Sequence, residues 1–430
     1  MQSRRTSMAN IGAACALIIV LLSGATHAME NASEGSGAFA TGTYRNLFVE
    51  LGHSPQEVKA KIDHAFEQLF HGDPDTQALY YPAGSNTIGP LAYILDVHNN
   101  DVRSEGMSYG MMIAVQLNKR AEFDAIWNWA RTHMYHDDPN HSGYGYFSWS
   151  VKKNGRPNDE MPAPDGEEYF ATALYFASHR WGDRTGLYNY RAEADRLLTD
   201  MRHRKLITSP TVVGPRTAGD LFEPKHKMVR FTPDVDNREH TDPSYHLPAF
   251  YELWALWGPK DDRPFWAEAA RASRDFFVRA AHPKTALTPD YANFDATPWA
   301  SPWNPRSARF QVDAWRTAMN WSMDWAWWAR DPRQQQLSDR LQAFFASQGM
   351  SDYHSHFELD GTDGSGDRST GLVAMNATAS LAATHQRARQ FVEAFWNTPI
   401  PSGRYRYYDG TLYMLGMLHC GGQFRIWSPQ

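Results

Sequence analysis

Cysteine is scarce in this sequence, which has only Cys15 and Cys420 among its 430 residues. Cys15 lies in an N-terminal segment that we expect to be removed, so the mature chain would keep a single thiol. One thiol can form neither an internal disulfide bond nor a zinc site built from several cysteines. The sequence therefore excludes disulfide-rich domains and cysteine-based metal proteins.

Motifs of several other protein classes are also missing. The formal net charge is −6 and no run of lysine and arginine exceeds two residues, so no basic stripe could follow a nucleic-acid backbone. Neither a glycine-rich phosphate loop nor a G-x-S-x-G nucleophile motif occurs. "HMYH" at 133–136 and "DGTDGSGD" at 360–367 fit neither zinc nor calcium patterns. We predict no nucleic-acid partner, no metal and no cofactor.

Long apolar runs are confined to the N-terminus. Arg4 and Arg5 precede an apolar run at 11–22, and small residues ending in "ATHA" follow, which is the order of a secretory signal peptide. The alternative, an uncleaved anchor, needs roughly 18 apolar residues, more than this run provides. We therefore predict a signal peptide over 1–28, a mature chain starting near Met29, no membrane association after cleavage, and a periplasmic or secreted location.

Aromatic residues, by contrast, are plentiful, with 16 Trp, 20 Tyr and 22 Phe. Tryptophan and tyrosine combine a flat apolar face with a polar atom, which suits partly hydrated grooves as well as cores. A groove for a flat, hydroxylated ligand would explain the excess.

Helical patterns recur along the whole chain. Some segments, such as 104–118, are apolar nearly all round, and others, such as 189–203, have one charged face; two concentric rings of helices would produce that alternation. We expect 29–43 to be a flexible lead-in and 44–430 to be one domain, with the best strand pattern at 143–151. The twelve predicted helices lie near 54–70, 104–118, 121–135, 165–181, 189–203, 244–257, 263–281, 311–330, 333–348, 370–384, 387–396 and 409–419.

Two stretches place a carboxylate at the start of an apolar helix. In "RSEGMSYGMMIAVQLNK" the acidic residue is Glu105, and in "PAPDGEEYFATALYF" Asp165 comes first. The ordinary explanation for each is helix capping and a favourable helix dipole. For Glu105, burial beside apolar side chains would also raise the carboxyl pKa, as a proton donor near neutral pH requires.

A third stretch, "QVDAWRTAMNWSMDWAWWARD", carries a polar stripe along an otherwise apolar helix, with Asp313, Arg316, Asn320 and Asp324 at spacings of three and four. A buried ion pair of Asp313 with Arg316 is the structural alternative. Because unpaired buried charge is costly, we favour an aqueous cleft beside the stripe.

A fourth stretch, "TDPSYHLPAFYELW", places Tyr245 and His246 at a helix start. His246 by itself is best explained as a hydrogen-bonded, partly buried histidine. The four helix starts would meet at one end of a helical barrel. Two carboxyl groups in unlike environments are what glycoside hydrolysis requires.

Taken together, "RSEGMSYGMMIAV", "PAPDGEEYFATAL", "TDPSYHLPAFYELW", "VDAWRTAMNW" and "YRYYDGTLYMLGMLH" resemble glycoside hydrolase family 8, in particular its xylan-active branch. The resemblance runs from about Thr43 to Trp427. It implies an all-α (α/α)6 barrel and an inverting mechanism.

The resemblance also implies residue roles. Glu105 would be the general acid and Asp313 the general base, Asp165 would bind and distort the sugar at the cleaved bond, and Tyr245 would hold the attacking water. Tyr109, Arg316 and Tyr408, in the matching motifs, are predicted to contact substrate.

Within the branch, segments such as "ASHRWGD" resemble reducing-end enzymes, which release xylose from xylooligosaccharides. Those enzymes carry a Leu-His-Pro-like segment that this chain replaces with "GDRSTGLVAMNA" at 366–377, so an endo-acting xylanase on polymeric xylan stays open. A carbohydrate-binding protein without activity on the same scaffold is the remote alternative. We expect a monomer.

Overall fold

The computed structural model describes residues 36–429. The predicted signal peptide at 1–28 lies outside the described residues. Within the described range there are fourteen α-helices, which are α1 (Ala38–Thr41), α2 (Leu47–Leu51), α3 (Pro55–His71), α4 (Ser104–Gln116), α5 (Arg120–His133), α6 (Pro164–Trp181), α7 (Tyr190–His203), α8 (Pro248–Trp257), α9 (Arg263–Ala280), α10 (Trp315–Trp328), α11 (Arg333–Gln348), α12 (Thr370–Thr378), α13 (Ala388–Trp396) and α14 (Arg406–Cys420).

Helices α3 to α14 alternate between an outer and an inner ring. The inner helices α4, α6, α8, α10, α12 and α14 are buried over most of their length, whereas α3, α5, α7, α9, α11 and α13 bury only part of their surface. Neighbouring inner helices pack together around the ring. Between α6 and α8 the contact includes hydrogen bonds from Tyr251 to Glu168 and from Trp254 to Thr172. The predicted all-α (α/α)6 barrel of about twelve helices in two rings is confirmed.

Local sequence explains where the helices begin. Ser54 caps α3 in a reciprocal capping box with Glu57, and Pro55 occupies the first helical position, where its missing N–H costs nothing. The predicted apolar face of α3 is buried. Periodicity, helped by side-chain caps at a few helices, lets most helix bounds be read from the sequence to within a few residues.

The described part of the predicted flexible lead-in is folded. Helix α1 forms within it, and Phe39 stacks on Trp328 at the end of α10 with ring centroids 4.4 Å apart. Gly37 packs against the backbone of α10, where an added Cβ would stand 2.2 Å from the Trp327 carbonyl oxygen. The prediction of a flexible segment over 29–43 therefore does not hold for 37–41, because these residues pack against the barrel. Residues 29–35 lie outside the described range.

The strands are short and antiparallel, and they form small sheets in the connections between helices. The predicted strand over 143–151 is wrong except at Ser150–Val151. Gly145, at φ 85°, turns the backbone. Tyr146 and Phe147, two of the aromatic residues in this segment, are buried in the core and do not line a sheet. In the part of the chain that the structure describes, the eleven strands are β1 (Tyr80–Ser85), β2 (Pro90–Ile94), β3 (Val102–Arg103), β4 (Ser150–Val151), β5 (Pro157–Asp159), β6 (Ile207–Ser209), β7 (Arg216–Ala218), β8 (Phe222–Glu223), β9 (Met228–Val229), β10 (His240–Thr241) and β11 (Ala292–Asn293).

The main hydrophobic core is one cluster that includes residues from Ala38 to Phe424 and members of both rings. Cys420 is buried in it. Across 36–429, no helix combines the length and apolar character that a membrane crossing requires.

Candidate active site

The predicted site residues lie where several inner helices begin. Glu105 is in the first turn of α4 and Asp165 in the first turn of α6. Tyr245 ends a short 3₁₀ turn before α8, and Asp313 lies in the turn just before α10. The expectation that these helix starts meet at one end of the barrel is therefore met by the geometry.

Arg316, in the first turn of α10, holds the site together. Its side chain is only 2% exposed, and a buried guanidinium needs partners for its donors. Two of its nitrogens, Nη1 and Nη2, reach three carboxyl groups and two hydroxyls. Nη1 donates to Glu105 Oε2 (3.0 Å), Asp165 Oδ2 (2.6 Å) and Tyr109 Oη (2.6 Å), and Nη2 donates to Asp313 Oδ1 (3.0 Å) and Ser244 Oγ (2.9 Å).

The Glu105 carboxyl has the properties of a proton donor. Burial raises its pKa to about 7, Arg316 opposes that rise, and the neighbouring charges of Asp165 and Asp313 add to it. A general acid works best when its pKa lies near the working pH. Tyr407, on α14, donates a hydrogen bond to Glu105 Oε1 at 3.0 Å and fixes the orientation of the carboxyl.

Further carboxyl groups surround the general-base candidate. Burial raises the pKa of Asp165, Asp242 and Asp290, and the charge of Asp313 raises each of them further. Asp313 is the most exposed of the carboxylates that contact Arg316, with 31% of its side chain accessible against 3% for Asp165. Asp313 is therefore the carboxylate with the best access to a water molecule.

Two glycines allow the helix starts to approach one another. A Cβ at Gly106 would lie 2.6 Å from the Tyr407 hydroxyl oxygen, and a Cβ at Gly166 would lie 2.7 Å from Ser104 Oγ. Any larger residue at these positions would push α14 or α6 away from α4. The glycines in "SEGMSYG" and "PDGEE" thus set the spacing of the carboxyl groups.

Two cavities meet at the site. One of about 560 Å³ is lined by Asp165, Tyr245, Trp149, Trp303 and others, and one of about 220 Å³ is lined by Tyr405, Tyr407, Tyr408 and others. Glu105 and Asp313 line both cavities. A chain of sugars lying in the two cavities would therefore pass between these two carboxyl groups.

The other predicted substrate contacts differ in their access to the two cavities. Tyr245 lines the larger cavity and Tyr408 the smaller one. Tyr408 donates to the backbone oxygen of Val312, next to Asp313, at 2.9 Å. Tyr109 is 1% exposed and lines neither cavity, so its hydroxyl supports Arg316 and does not face a ligand. Arg316 lines the larger cavity although its side chain is only 2% exposed.

The predicted cleft beside the polar stripe of α10 is present only at the start of the stripe. Asn320 donates to the backbone oxygen of Ser244, and Asp324 is fully buried in an ion pair with Arg274 at 2.7 Å. Asp313 and Arg316, at the head of the stripe, line the larger cavity, and Asn320 and Asp324 do not. The stripe is tolerated inside the barrel because each of its charges is paired.

His246 is more deeply buried than predicted. Its two ring nitrogens contact Thr241 Oγ1 at 3.0 Å and Ser273 Oγ at 2.9 Å. Burial lowers the His246 pKa to about 3, so the ring is neutral. The residue is a hydrogen-bonded core histidine.

One of the two weak metal patterns contributes to a cluster of metal-binding side chains, His136, His141 and Glu160. Protein contacts already use several of their atoms. His136 Nε2 is 2.9 Å from Ser148 Oγ, His141 Nδ1 accepts from the Gly143 N–H, and Glu160 Oε2 accepts from the Val212 N–H. In the other pattern, the Asp360 carboxylate accepts from Thr362 and Asp363 pairs with Arg309.

Sequence reasoning missed several residues of the site. Tyr407 was not singled out although it adjoins Tyr408, and Asp290 has no helical pattern around it. Asp290 Oδ1 accepts from the Ala314 N–H at 3.0 Å and so anchors the turn that carries Asp313. Arg103, two residues before Glu105, drew no prediction. Closeness in sequence to a predicted site residue, Glu105 for Arg103 and Tyr408 for Tyr407, was the one available signal.

Comparison with known proteins identifies the family of this chain. The family model for glycosyl hydrolases family 8 matches residues 95–422. The reducing-end xylose-releasing exo-oligoxylanase Rex8A of Paenibacillus barcinonensis is 44% identical over 395 residues, covering 91% of this chain and 99% of that protein. A reducing end xylose-releasing exo-oligoxylanase of Halalkalibacterium halodurans is 42% identical, covering 92% and 97%.

A solved structure is also closely similar. The crystal structure of a GH8 xylobiose complex from Teredinibacter turnerae matches with a TM-score of 0.90 and 57% identity, covering 91% of this chain and 100% of that one. Sequence and structure thus agree over nearly the whole described range. The chain belongs to glycosyl hydrolases family 8.

Proposed function

We propose that this chain hydrolyses β-1,4-xylosidic bonds with inversion and releases xylose from the reducing end of xylooligosaccharides. The observation that carries the proposal is the pair Glu105 and Asp313, which lies where two cavities of unequal size meet. The exo-oligoxylanases with 42–44% identity give the substrate class its support.

The chemistry follows from the environments of the two carboxyl groups. Glu105, whose pKa is raised to about 7, gives its proton to the glycosidic oxygen as the bond breaks. Asp313 takes a proton from a water molecule, which attacks the anomeric carbon from the opposite face of the sugar and inverts its configuration. Inverting enzymes hold the two carboxyl groups about 6.5–9.5 Å apart to leave room for this water.

The distance between the two carboxyl groups is limited by Arg316. One guanidinium contacts both at 3.0 Å, so the nearest oxygens are separated by no more than the guanidinium and two hydrogen bonds. Tyr245 borders the larger cavity beside Asp313 and, as the resemblance implies, would hold the water. Asp165 would bind the sugar on the same side.

The unequal cavities support release of a single sugar. Asp165 lines the larger cavity, which assigns that cavity to the non-reducing part of the substrate. The smaller cavity, of about 220 Å³, would hold the leaving sugar. The larger volume before the cleaved bond than after it supports reducing-end release.

The proposal is tested with Glu105→Gln and Asp313→Asn on xylohexaose. Each substitution should lower turnover by about 10²–10⁴-fold, the range that general acid and base groups contribute. Glu67→Gln, which removes an exposed carboxylate that pairs with Lys119 on the outer ring, should leave turnover unchanged. Turnover at the wild-type rate in both site variants would disprove the enzymatic assignment and favour a carbohydrate-binding protein.

An endo-acting xylanase is the second candidate. It is favoured by "GDRSTGLVAMNA" at 366–377, which lacks the Leu-His-Pro-like segment, and by 57% identity to a Teredinibacter turnerae protein whose catalytic mutant is described as a xylanase in complex with xylohexaose. Early products decide between the two. Xylose plus xylopentaose from xylohexaose supports reducing-end release, whereas a prompt fall in the viscosity of polymeric xylan rejects it. A substrate ending in xylitol should resist a reducing-end enzyme.

We further propose that the protein is exported to the periplasm or the medium as a monomer. The support is the signal-like order of charge, apolar run and small residues over 1–28. N-terminal sequencing of the exported protein should begin near Met29, and light scattering should give the mass of one chain. Retention of residues 1–28 or the mass of a dimer would contradict the corresponding proposal.

A further inference from the structure

The larger and the smaller cavity share three lining residues, which are Glu105, Asp313 and Arg103. The first two are the acid and the base. The third carries the opposite charge and has been given no role so far. A side chain that borders both cavities is placed to touch the sugars on either side of the bond between them.

Arg103 is held in this position by its surroundings. It ends strand β3 and immediately precedes α4, so its backbone is fixed two residues before Glu105. Its Nε donates to Asp101 Oδ1 at 3.2 Å, and its Nη2 lies 3.2 Å from Asp96 Oδ2. The guanidinium also lies over the Trp149 ring, 5.4 Å from its centre, which adds a cation–π attraction.

The guanidinium keeps donors available for a ligand. Its side chain is 27% exposed, and Nη1 donates to no atom within the described range 36–429, whereas Arg316 is 2% exposed and has its terminal nitrogens occupied. An exposed, planar donor that is already held in place loses little entropy when it binds a hydroxyl group.

We infer that Arg103 is a substrate-binding residue that donates hydrogen bonds to sugar hydroxyls flanking the cleaved bond. Its positive charge also acts on the neighbouring Glu105. The inference rests on the proposed function and identifies a further functional side chain at the point of cleavage.

The electrostatic part of the inference has a definite sign. The charges that face Glu105 are Arg103 beside it, Asp165 on α6, and Asp313 and Arg316 at the start of α10, and Tyr407 on α14 contacts it. Both arginines lower the Glu105 pKa, and both aspartates raise it. Loss of the Arg103 charge should therefore raise that pKa and let the acid keep its proton to higher pH.

The test compares Arg103→Met with Arg103→Lys, and uses Arg120→Met as the control. Arg120 also faces an aspartate, Asp124 at 3.8 Å, and lies near a tryptophan, but it lines neither cavity. Activity on xylohexaose is measured across pH together with thermal unfolding. The position of the alkaline limb of kcat does not depend on the fraction of folded protein, so a loss of stability in Arg103→Met cannot imitate the expected shift.

We expect Arg103→Met to lower kcat/KM by about 10–100-fold, the worth of one or two hydrogen bonds from a charged donor, and to move the alkaline limb upward by about half a pH unit or more. Arg103→Lys keeps the charge, so its limb should stay near that of the wild type while kcat/KM falls by about 10-fold. Xylohexaose should bind Glu105→Gln more tightly than the double variant Glu105→Gln, Arg103→Met.

Several outcomes would overturn the inference. The inference would be overturned if Arg103→Met had the same alkaline limb and the same kcat/KM as Arg120→Met, and the proposed function would then stay intact. Equal binding of xylohexaose by Glu105→Gln and by the double variant would have the same meaning. A wild-type protein that leaves xylohexaose uncleaved would overturn the proposed function and this inference together.

Discussion

At the cavity end of α10, one guanidinium faces three carboxyl groups. At the other end of the same polar stripe, two guanidiniums face two carboxyl groups. Arg316 pairs with Glu105, Asp165 and Asp313. The second cluster consists of Arg274, Arg330, Glu252 and Asp324, in which Arg274 bridges both carboxylates at 2.7 Å and Arg330 pairs with Glu252.

The difference in charge balance separates a reactive site from a structural one. With equal numbers of cations and anions, every buried charge has its partner, and the pairs fix the packing of α8, α9 and α10. At the cavity end, burial raises the pKa of Glu105 to about 7, and the charges of Asp165 and Asp313 add to that rise while Arg316 opposes it. Burial together with an excess of carboxyl groups over guanidiniums thus keeps a proton available.

The largest expected effect comes from removing one carboxylate at each end. Asp313→Asn should lower turnover by about 10²–10⁴-fold because the base that activates water is lost, with little loss of stability since one of three competing anions is removed. Asp324→Asn should do the reverse, costing about 3–5 kcal/mol of unfolding free energy because Arg274 loses a buried partner, with turnover per folded molecule unchanged. Turnover on xylohexaose and denaturant unfolding are the two measurements.

If Asp324→Asn lowered turnover as much as Asp313→Asn at equal folded fraction, the two ends would not be functionally distinct.

A second effect comes from replacing the two arginines with lysine. Arg316→Lys keeps a charge but cannot reach three carboxyl groups at once, so we expect turnover to fall by about 10–100-fold as the carboxyl groups lose their alignment. Arg274→Lys should leave turnover of the folded enzyme near that of the wild type and lower the thermal midpoint. Equal turnover in the two variants, measured on xylohexaose, would contradict the role of Arg316 as the organiser of the site.

The wild-type pH dependence probes the proton on Glu105. Because Glu105 acts as an acid, activity should fall as pH rises through its pKa of about 7, by up to about tenfold per pH unit above it. The same raised pKa means that the folded state holds this proton between the ordinary carboxyl value and about 7, so Glu105 stabilises the fold at low pH and loses that contribution as pH rises.

Two measurements test this assignment. The first is the pH dependence of kcat in the wild type, and the second is the pH dependence of the unfolding free energy in Glu105→Gln compared with the wild type. The substitution should remove the part of the stability change that Glu105 causes. An alkaline limb that begins below pH 6 would be at odds with the buried, proton-holding carboxyl described here.

The smallest expected effect concerns Tyr407. Tyr407→Phe removes the hydrogen bond to Glu105 Oε1, which should lower kcat/KM by about 3–10-fold, the worth of one such bond. It should also move the alkaline limb slightly upward, because a donor to a carboxylate favours the ionised form. Tyr413→Phe, further along α14 and outside both cavities, is the matched control and should change neither quantity.

Most of the fold could be predicted from sequence, and the reasons are local. The Ser54 cap with Glu57, the apolar face of α3 and the fully apolar inner helices each depend on residues within a few turns of one another. Where prediction failed, distant contacts decided the structure. The aromatic alternation at 143–151 looked like a strand because the positions of Tyr146 and Phe147 in the core could not be seen, and Phe39 folded onto Trp328 in a segment whose composition is that of a linker.

The site was only partly predictable for a related reason. Glu105, Asp165 and Asp313 drew notice as charges at the starts of apolar helices, and the family resemblance supplied their predicted roles. Arg103, Tyr407 and Asp290 acquire their meaning from neighbours far away in the chain. The stripe from Asp313 to Asp324 shows the limit most directly. Its spacing established that the four residues share a face of α10, but not that one end opens to a cavity and the other pairs with Arg274 on α9.

The sequence by itself thus determined the helices, their order, the family resemblance and the carboxylates that could act, because those depend on short-range periodicity and on motifs. Only the tertiary structure decided which carboxyl group keeps its proton, which one meets water, and that Arg103 borders both cavities. Burial and the balance of nearby charge set these properties, and both arise from side chains that the sequence separates by up to about three hundred residues, as between Glu105 and Tyr407.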